Sequence, residues 1–230
     1  MKAISDTITT LIIAGTIIMV SLTVFYYSIA NLQYATLSAE YGYIRSVFLG
    51  IADSIPDIIE GGTYGARLPS RLVGVGYLNL SDTLLNLMVI NDTNIIFNYT
   101  DTPMALHAST YASLVVRERR VYGVDSLIVN ETLLIPRIRE YYLEGATHLV
   151  LDTARFYVKI YSYETNGEIV YIVNVIYIEL SVKITSSKPV QITVSLGRDL
   201  VNVRLVDVDD IVFTRNVNGV VETVALDDLI

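Results

Sequence analysis

Between Asp6 and Glu40 this 230-residue chain carries no charged side chain. The run from Thr7 to Ala39, TITTLIIAGTIIMVSLTVFYYSIANLQYATLSA, therefore has no polar face to turn toward water. As a helix rising about 1.5 Å per residue it would reach roughly 50 Å. A bilayer's hydrocarbon needs only about 20 residues. The run can span a membrane with helix left over. Lys2 is the only cation before it and Arg45 the first after it. The positive-inside rule then holds the N-terminus in the cytoplasm and exports the remainder of the chain. A secretory signal fits poorly, because such a signal has a shorter apolar core and then a small-x-small cleavage site.

The apolar run flows into more helix. Leu37, Tyr41, Ile44, Phe48, Ile51, Ile55 and Ile58 are separated alternately by four and three residues. That period draws one apolar stripe along a helix. Glu40, Arg45, Asp53 and Asp57 fall between the stripe positions. Pro56 predicts a kink or a short final piece, and Gly61-Gly62 predicts the end. The first two thirds of the helix are apolar all round and the last third is one-sided. A one-sided helix packs on a globular body; a helix apolar all round needs lipid or similar helices on every side.

From about Leu68 the pattern changes to short Val-, Ile- and Tyr-rich runs, the composition of strands. Expected strands are Leu72–Leu80, Leu84–Ile90, Asn94–Tyr99, Ser113–Tyr122, Ser126–Pro136 and Thr147–Leu151. Arg137–Glu144 reads as either a helical turn or a strand. Arg155–Tyr163 alternates and leads into Asn166-Gly167, the pair that tolerates a tight hairpin. The return strand Ile169–Ile184 is long enough to predict a bend or split. One of its faces reads Val170, Ile172, Asn174, Ile176, Ile178, Leu180 and Val182. Val190–Leu196 and Leu200–Val208 come next, and Ile211–Thr214 and Val220–Ala225 flank a second hairpin signal, Asn218-Gly219. Many antiparallel strands with regular turn signals predict a β-sandwich. The fold class expected is α+β: a long hydrophobic helix and then an antiparallel β-sandwich head. Gly61–Arg67 is the only join, so the head sits directly on the helix and buries the stripe from Leu37 to Ile58.

The N-terminal residues Lys2-Ala3-Ile4-Ser5-Asp6, continued by Thr-Ile-Thr-Thr-Leu-Ile-Ile, resemble the start of archaeal type IV pilins and related archaeal filament proteins. The resemblance covers roughly residues 1–55. It implies a leader of residues 1–3, with Lys2, Ala3 and Ile4 framing a cut that leaves Ile4 as the mature N-terminus. It implies a helix over 4–62 that visits the membrane before entering a filament core, and an extracellular head over 63–230. Leu11, Ile12, Ile17, Ile18, Leu22 and Phe25, continued by Leu37, Tyr41, Ile44, Phe48, Ile51 and Ile55, would form that core. The implied partners are further copies of the chain in a helical homopolymer, a leader peptidase, an assembly ATPase and a membrane platform protein. One departure stands out. Bacterial pilins carry glutamate at the fifth mature position, which here is Ile8.

Composition narrows the function classes. The net charge is −8 and the downstream domain has no basic stripe, so no nucleic-acid partner is expected. An acidic surface also gives little attraction to anionic lipid heads. With no cysteine, neither a disulfide framework nor a thiolate metal site can form. Low Gln, more Arg than Lys, and abundant Ile, Val and Tyr lean toward a thermophile. His107 and His148 have no ligand partner at metal-binding spacing. Asp207, Asp209 and Asp210, with Asp227-Asp228, lack the glycine-centred loop of a calcium site and read as solvated turns. Arg117-Glu118-Arg119-Arg120 reads as an exposed edge or a salt-bridge partner. No nucleotide, hydrolase or zincin motif occurs, so neither enzymatic activity nor a cofactor or metal is expected. Asn79, Asn91, Asn98 and Asn130 each begin an N-glycosylation sequon, all in the head. The expected function is a filament subunit, with adhesion as its use. The alternative is a monotopic cell-surface binding or envelope protein on an uncleaved anchor.

Overall fold

The computed structural model describes residues 2–69, 71–91, 94–115, 117–185, 190–206 and 210–225. Helix α1 runs unbroken over Lys2–Asp53. Ser54 is a turn whose N–H still reaches the carbonyls of Gly50 and Ile51, both at 3.1 Å. A short α2, Ile55–Ile59, comes next with Pro56 in its first turn, where the missing N–H costs no hydrogen bond. Gly61 (φ +96°) then closes the helix. The Gly62 N–H reaches Asp57 O at 2.8 Å and the Gly61 N–H reaches Ile58 O at 3.1 Å, the paired bonds of a glycine-capped helix end.

The strands are β1 (Thr63–Leu68), β2 (Gly74–Asn79), β3 (Thr83–Asn91), β4 (Asn94–Asp101), β5 (Met104–Thr110), β6 (Arg119–Tyr122) and β7 (Ile128–Val129). After a 3-10 turn at Thr132–Leu134 come β8 (Arg137–Leu143), β9 (Ala146–Asp152), β10 (Phe156–Thr165), β11 (Glu168–Thr185), β12 (Val190–Val206), β13 (Asp210–Val217) and β14 (Val220–Ala225). They form three sheets, ordered β1-β12-β11-β10-β7, β2-β5-β9-β8-β6 and β14-β13-β3-β4. Every described pairing is antiparallel except the two-residue match of β7 with β10.

Several boundaries differ from those expected of the sequence. The join at Gly61–Arg67 is mostly strand β1, whose alternate residues Tyr64, Ala66 and Leu68 turn inward while its backbone pairs with β12. Strand β5 has no counterpart among the expected strands. Ser113–Tyr122 and Ser126–Pro136 keep only the short β6 and β7, because the backbone around them turns rather than pairs. Arg137–Glu144 resolves as strand β8, reversed by Glu144 (φ 51°) and Gly145 (φ 82°).

Two cores hold the head together. In the first, the stripe continued from α1 into α2 lies between the first and second sheets: Ile44, Phe48, Ile51 and Ile55 meet Leu106, Ile138, Leu149 and Leu151 on one side and Ile178, Val182, Ile192 and Val194 on the other. In the second, Leu85, Leu87 and Phe213 of the third sheet pack on Phe156, Val158, Val173, Val175 and Tyr177 of the first. Alternate strand residues point to opposite faces. The odd-numbered Val173, Val175 and Tyr177 therefore serve the second core, while Ile178 and Val182 serve the first. Both faces of β11 are apolar in the sequence, and their burial at different ends explains its length. Irregularity falls where the cores change over. The β12 partner jumps from Asp199, opposite Ile178, to Leu196, opposite Leu180. A Cβ on Gly197 there would sit 2.8 Å from Glu179 O, so the close approach needs glycine.

Candidate functional site

The long helix divides at Glu40. Upstream, Leu11, Ile12, Ile17, Ile18, Leu22 and Phe25 all project into the open, from 51% exposed at Leu22 to 72% at Leu11. The helix is long and apolar enough to cross a membrane, and its most apolar window has mean hydropathy 2.3 with no residue buried by the head. Four of its hydroxyls are turned onto its own backbone. Thr16, Thr23, Ser28 and Thr36 each donate to the carbonyl four residues earlier, at 2.7–2.9 Å. Such back-bonding satisfies a hydroxyl without any need of water. Tyr26, Tyr27 and Tyr34 stand exposed beyond the most apolar part.

Downstream, the same helix is clasped. The Glu40 carboxylate accepts three backbone N–H bonds through Oε1, from Arg71 at 2.6 Å, Leu72 at 3.0 Å and Val73 at 3.1 Å. One turn on, Arg45 Nε lies 2.8 Å from Oε1 of Glu140, a fully buried carboxylate on β8. Arg119 Nε donates to its other oxygen at 2.6 Å. Burial, and then the nearby Glu140 charge, push the Tyr41 hydroxyl well above its ordinary range. Tyr43 Oη donates to Arg67 O at 3.1 Å. The predicted helix residues thus separate. Tyr41, Ile44, Phe48, Ile51 and Ile55 are buried by the chain's own head, Leu37 is half-buried, and the upstream six remain uncovered. The side chains of Lys2, Ala3 and Ile4 lie outside the described residues.

The other polar candidates form structure. Arg120 pairs with Asp125 at 2.9 Å and Glu118 with Arg139 at 3.7 Å, so the Arg117–Arg120 cluster supplies salt-bridge partners. Arg137 donates to Asp152 at 3.1 and 3.2 Å and to Asp125 at 3.2 Å. Arg215 of the third sheet reaches the Asp125 carbonyl at 2.6 Å. Fully buried Arg155 donates to Ile135 O at 2.7 Å. Burial pulls its guanidinium down to about 10 despite neighbouring Asp152. His107 and His148 meet, against their sequence spacing: strands β5 and β9 place Nε2 of one 2.9 Å from Nδ1 of the other. Tyr141 stacks on His148 with centroids 5.0 Å apart. Among the described residues no group of three or more potential ligands surrounds a metal-sized site. Asp207, Asp209, Asp227 and Asp228 lie outside those residues. Asn79, Asn98 and Asn130 are exposed; the Asn91 side chain, with Asp92 and Thr93, lies outside the described part. The Glu40 clasp escapes sequence reasoning, although Glu40 is the first charge after the neutral run.

No family model matches this chain, and no curated protein or solved structure matches it.

Proposed function

We propose that the chain is a structural, pilin-like subunit of an extracellular archaeal type IV pilus-like filament that serves adhesion. The observation that carries this reading is the division of α1: one stretch is covered by the chain's own head, and a longer one, apolar on every side, is covered by nothing among the described residues. Lipid covers that surface before assembly, with the N-terminus cytoplasmic, and the helices of other copies cover it afterwards. Burial of apolar surface drives the exchange, at about 25 cal/mol per Å² as upper-end bookkeeping. Polymerisation needs no catalytic residue. A leader peptidase cutting between Ala3 and Ile4, an assembly ATPase and a platform protein complete the proposed machinery. Glycosylation at the head sequons fits the outside location, and the Ile, Val and Tyr richness fits a hot habitat.

The test is N-terminal sequencing of protein purified from its native cells, with electron microscopy of the cell surface. A start at Ile4 together with filaments containing the chain supports the proposal. An intact Met1 on a non-filamentous, membrane-bound chain replaces it with the anchored surface protein, a reading favoured by the sufficiency of one apolar helix for a span.

A further inference from the structure

The end of β8 and the end of β13 belong to different sheets, yet both line one open cleft of about 580 Å³, within the roughly 300–1,000 Å³ typical of ligand sites. Its lining includes the tight turn after β2. There Leu80 N–H reaches Pro103 O at 3.0 Å and Thr83 N–H reaches Leu80 O at 2.7 Å. The β13–β14 turn is tied to the same place, with Asn218 N–H on Asp82 O at 3.0 Å. The cleft is therefore built on fixed backbone. Tyr141, Tyr142, Asp82, Glu118 and Arg139 also line it. Tyr141 is backed by the His148 ring, stacked at 13°. Apolar side chains of its lining are left open: Leu143 is 55% exposed and Val217 38%.

We propose that this cleft is the seat of an N-linked glycan carried on Asn79. Asn79, Leu80 and Ser81, the whole acceptor sequon, line the cleft, and Asn79 is exposed at the last position of β2. The remaining lining is of the kind that holds sugar. Tyrosine rings take the C–H faces of pyranoses, and carboxylates, guanidinium and amide take the hydroxyls. A glycan there would also cover the apolar rim that the protein leaves to water. The other described sequons lack this setting. Asn98 lies within strand β4. Asn130 borders a cleft lined by Ile128, Val129, Val158, Lys159 and Ile160, without an aromatic ring or carboxylate.

The inference rests on the extracytoplasmic placement of the head. The transfer uses a lipid-phosphate-linked oligosaccharide. Asn79 Nδ2 forms a bond to the anomeric carbon, the sugar–phosphate C–O bond breaks, the lipid phosphate leaves with the electron pair, and one amide proton is lost.

Glycopeptide mass spectrometry and amide hydrogen exchange on protein from its native cells test it, comparing wild type with Asn79→Gln, Ser81→Ala and Asn98→Gln. Ser81→Ala removes the sequon while keeping Asn79, which guards against a folding defect of the first variant. Asn79 should be occupied. Loss of its glycan by either route should speed exchange over 142–145 and 217–219 by about tenfold, and Asn98→Gln should leave both segments unchanged. Asn79 bare while Asn98 or Asn130 is occupied overturns the seat and leaves the outside placement standing. An occupied Asn79 with unchanged exchange also overturns it, because the glycan then extends into solvent. If all sequons are bare the seat is overturned, and protease accessibility of the head on intact cells decides the placement separately.

Discussion

Leu11, Ile18 and Phe25 stand in the open on the same helix that, some twenty residues past Phe25, hides Ile44, Phe48 and Ile51 completely. The side chains are of one kind in both stretches. The polar complement differs. Downstream, polar residues interrupt the apolar ones: Asp53 and Asp57 face water, while Glu40 and Arg45 bond to the head, so the segment has a side for water and a side for the head. Upstream no charge interrupts them. A helix apolar all round needs lipid or similar helices on every side, and among the described residues nothing covers the upstream surface.

Substitutions can break this comparison at either end. The largest effect is expected from Ile18→Asp. On the filament reading it abolishes assembly, and a carboxylate in mid-span costs about 2.5–3.5 kcal/mol of membrane insertion. Thermal melting of the head should not move, since Ile18 touches none of it; filaments seen at wild-type density by electron microscopy would argue against a helical core. Phe48→Ala should do the reverse, lowering head stability by about 3–5 kcal/mol in urea titration while leaving the upstream surface untouched. Glu40→Gln sharpens the boundary. It keeps the shape and loses the charge that three N–H groups share, so a loss of about 1–3 kcal/mol is expected, with faster amide exchange at Arg71, Leu72 and Val73; unchanged exchange there would mean the clasp does not hold the junction.

The smallest effect concerns pH. Burial, with His148 beside it, holds His107 below its ordinary value of 6.5. As pH falls, the unfolded chain takes up this proton first. The contribution is therefore complete above the unfolded pKa and is lost as pH drops through it toward the lower folded value. Melting temperatures from about pH 7.5 to about pH 5 should fall more steeply for wild type than for His107→Gln; parallel curves would remove the histidine pair from the account.

Local signals carry much of this fold. The four–three spacing from Leu37 to Ile58 names the buried stripe, Pro56 the short α2, and Gly61-Gly62 the helix end. Asn166-Gly167 and Asn218-Gly219 mark hairpins because both residues of each pair take positive φ. Glu144-Gly145 makes a turn of the same shape without a legible signal, since glutamate seldom accepts φ near 51°. Strand β1, with Gly65 and Arg67, has too few apolar residues to read as a strand, because an edge pairs through backbone alone on one side. The Glu40 clasp and the His107–His148 pair are illegible for another reason. Their partners lie 31 to 41 residues away.

A charge-free run longer than a bilayer, running on into a one-sided stripe, leaves a helix little choice of conformation, and hydrophobic periodicity is a local property written along the chain itself. Which sheets embrace the stripe is not local. Strands β11 and β12 present one face to the helix and the opposite face to the third sheet. Glu40 finds its three donors, and the Asn79 turn its cleft, only when distant strands have paired. Those placements come from the joint packing of many side chains, and so they belong to the tertiary structure alone.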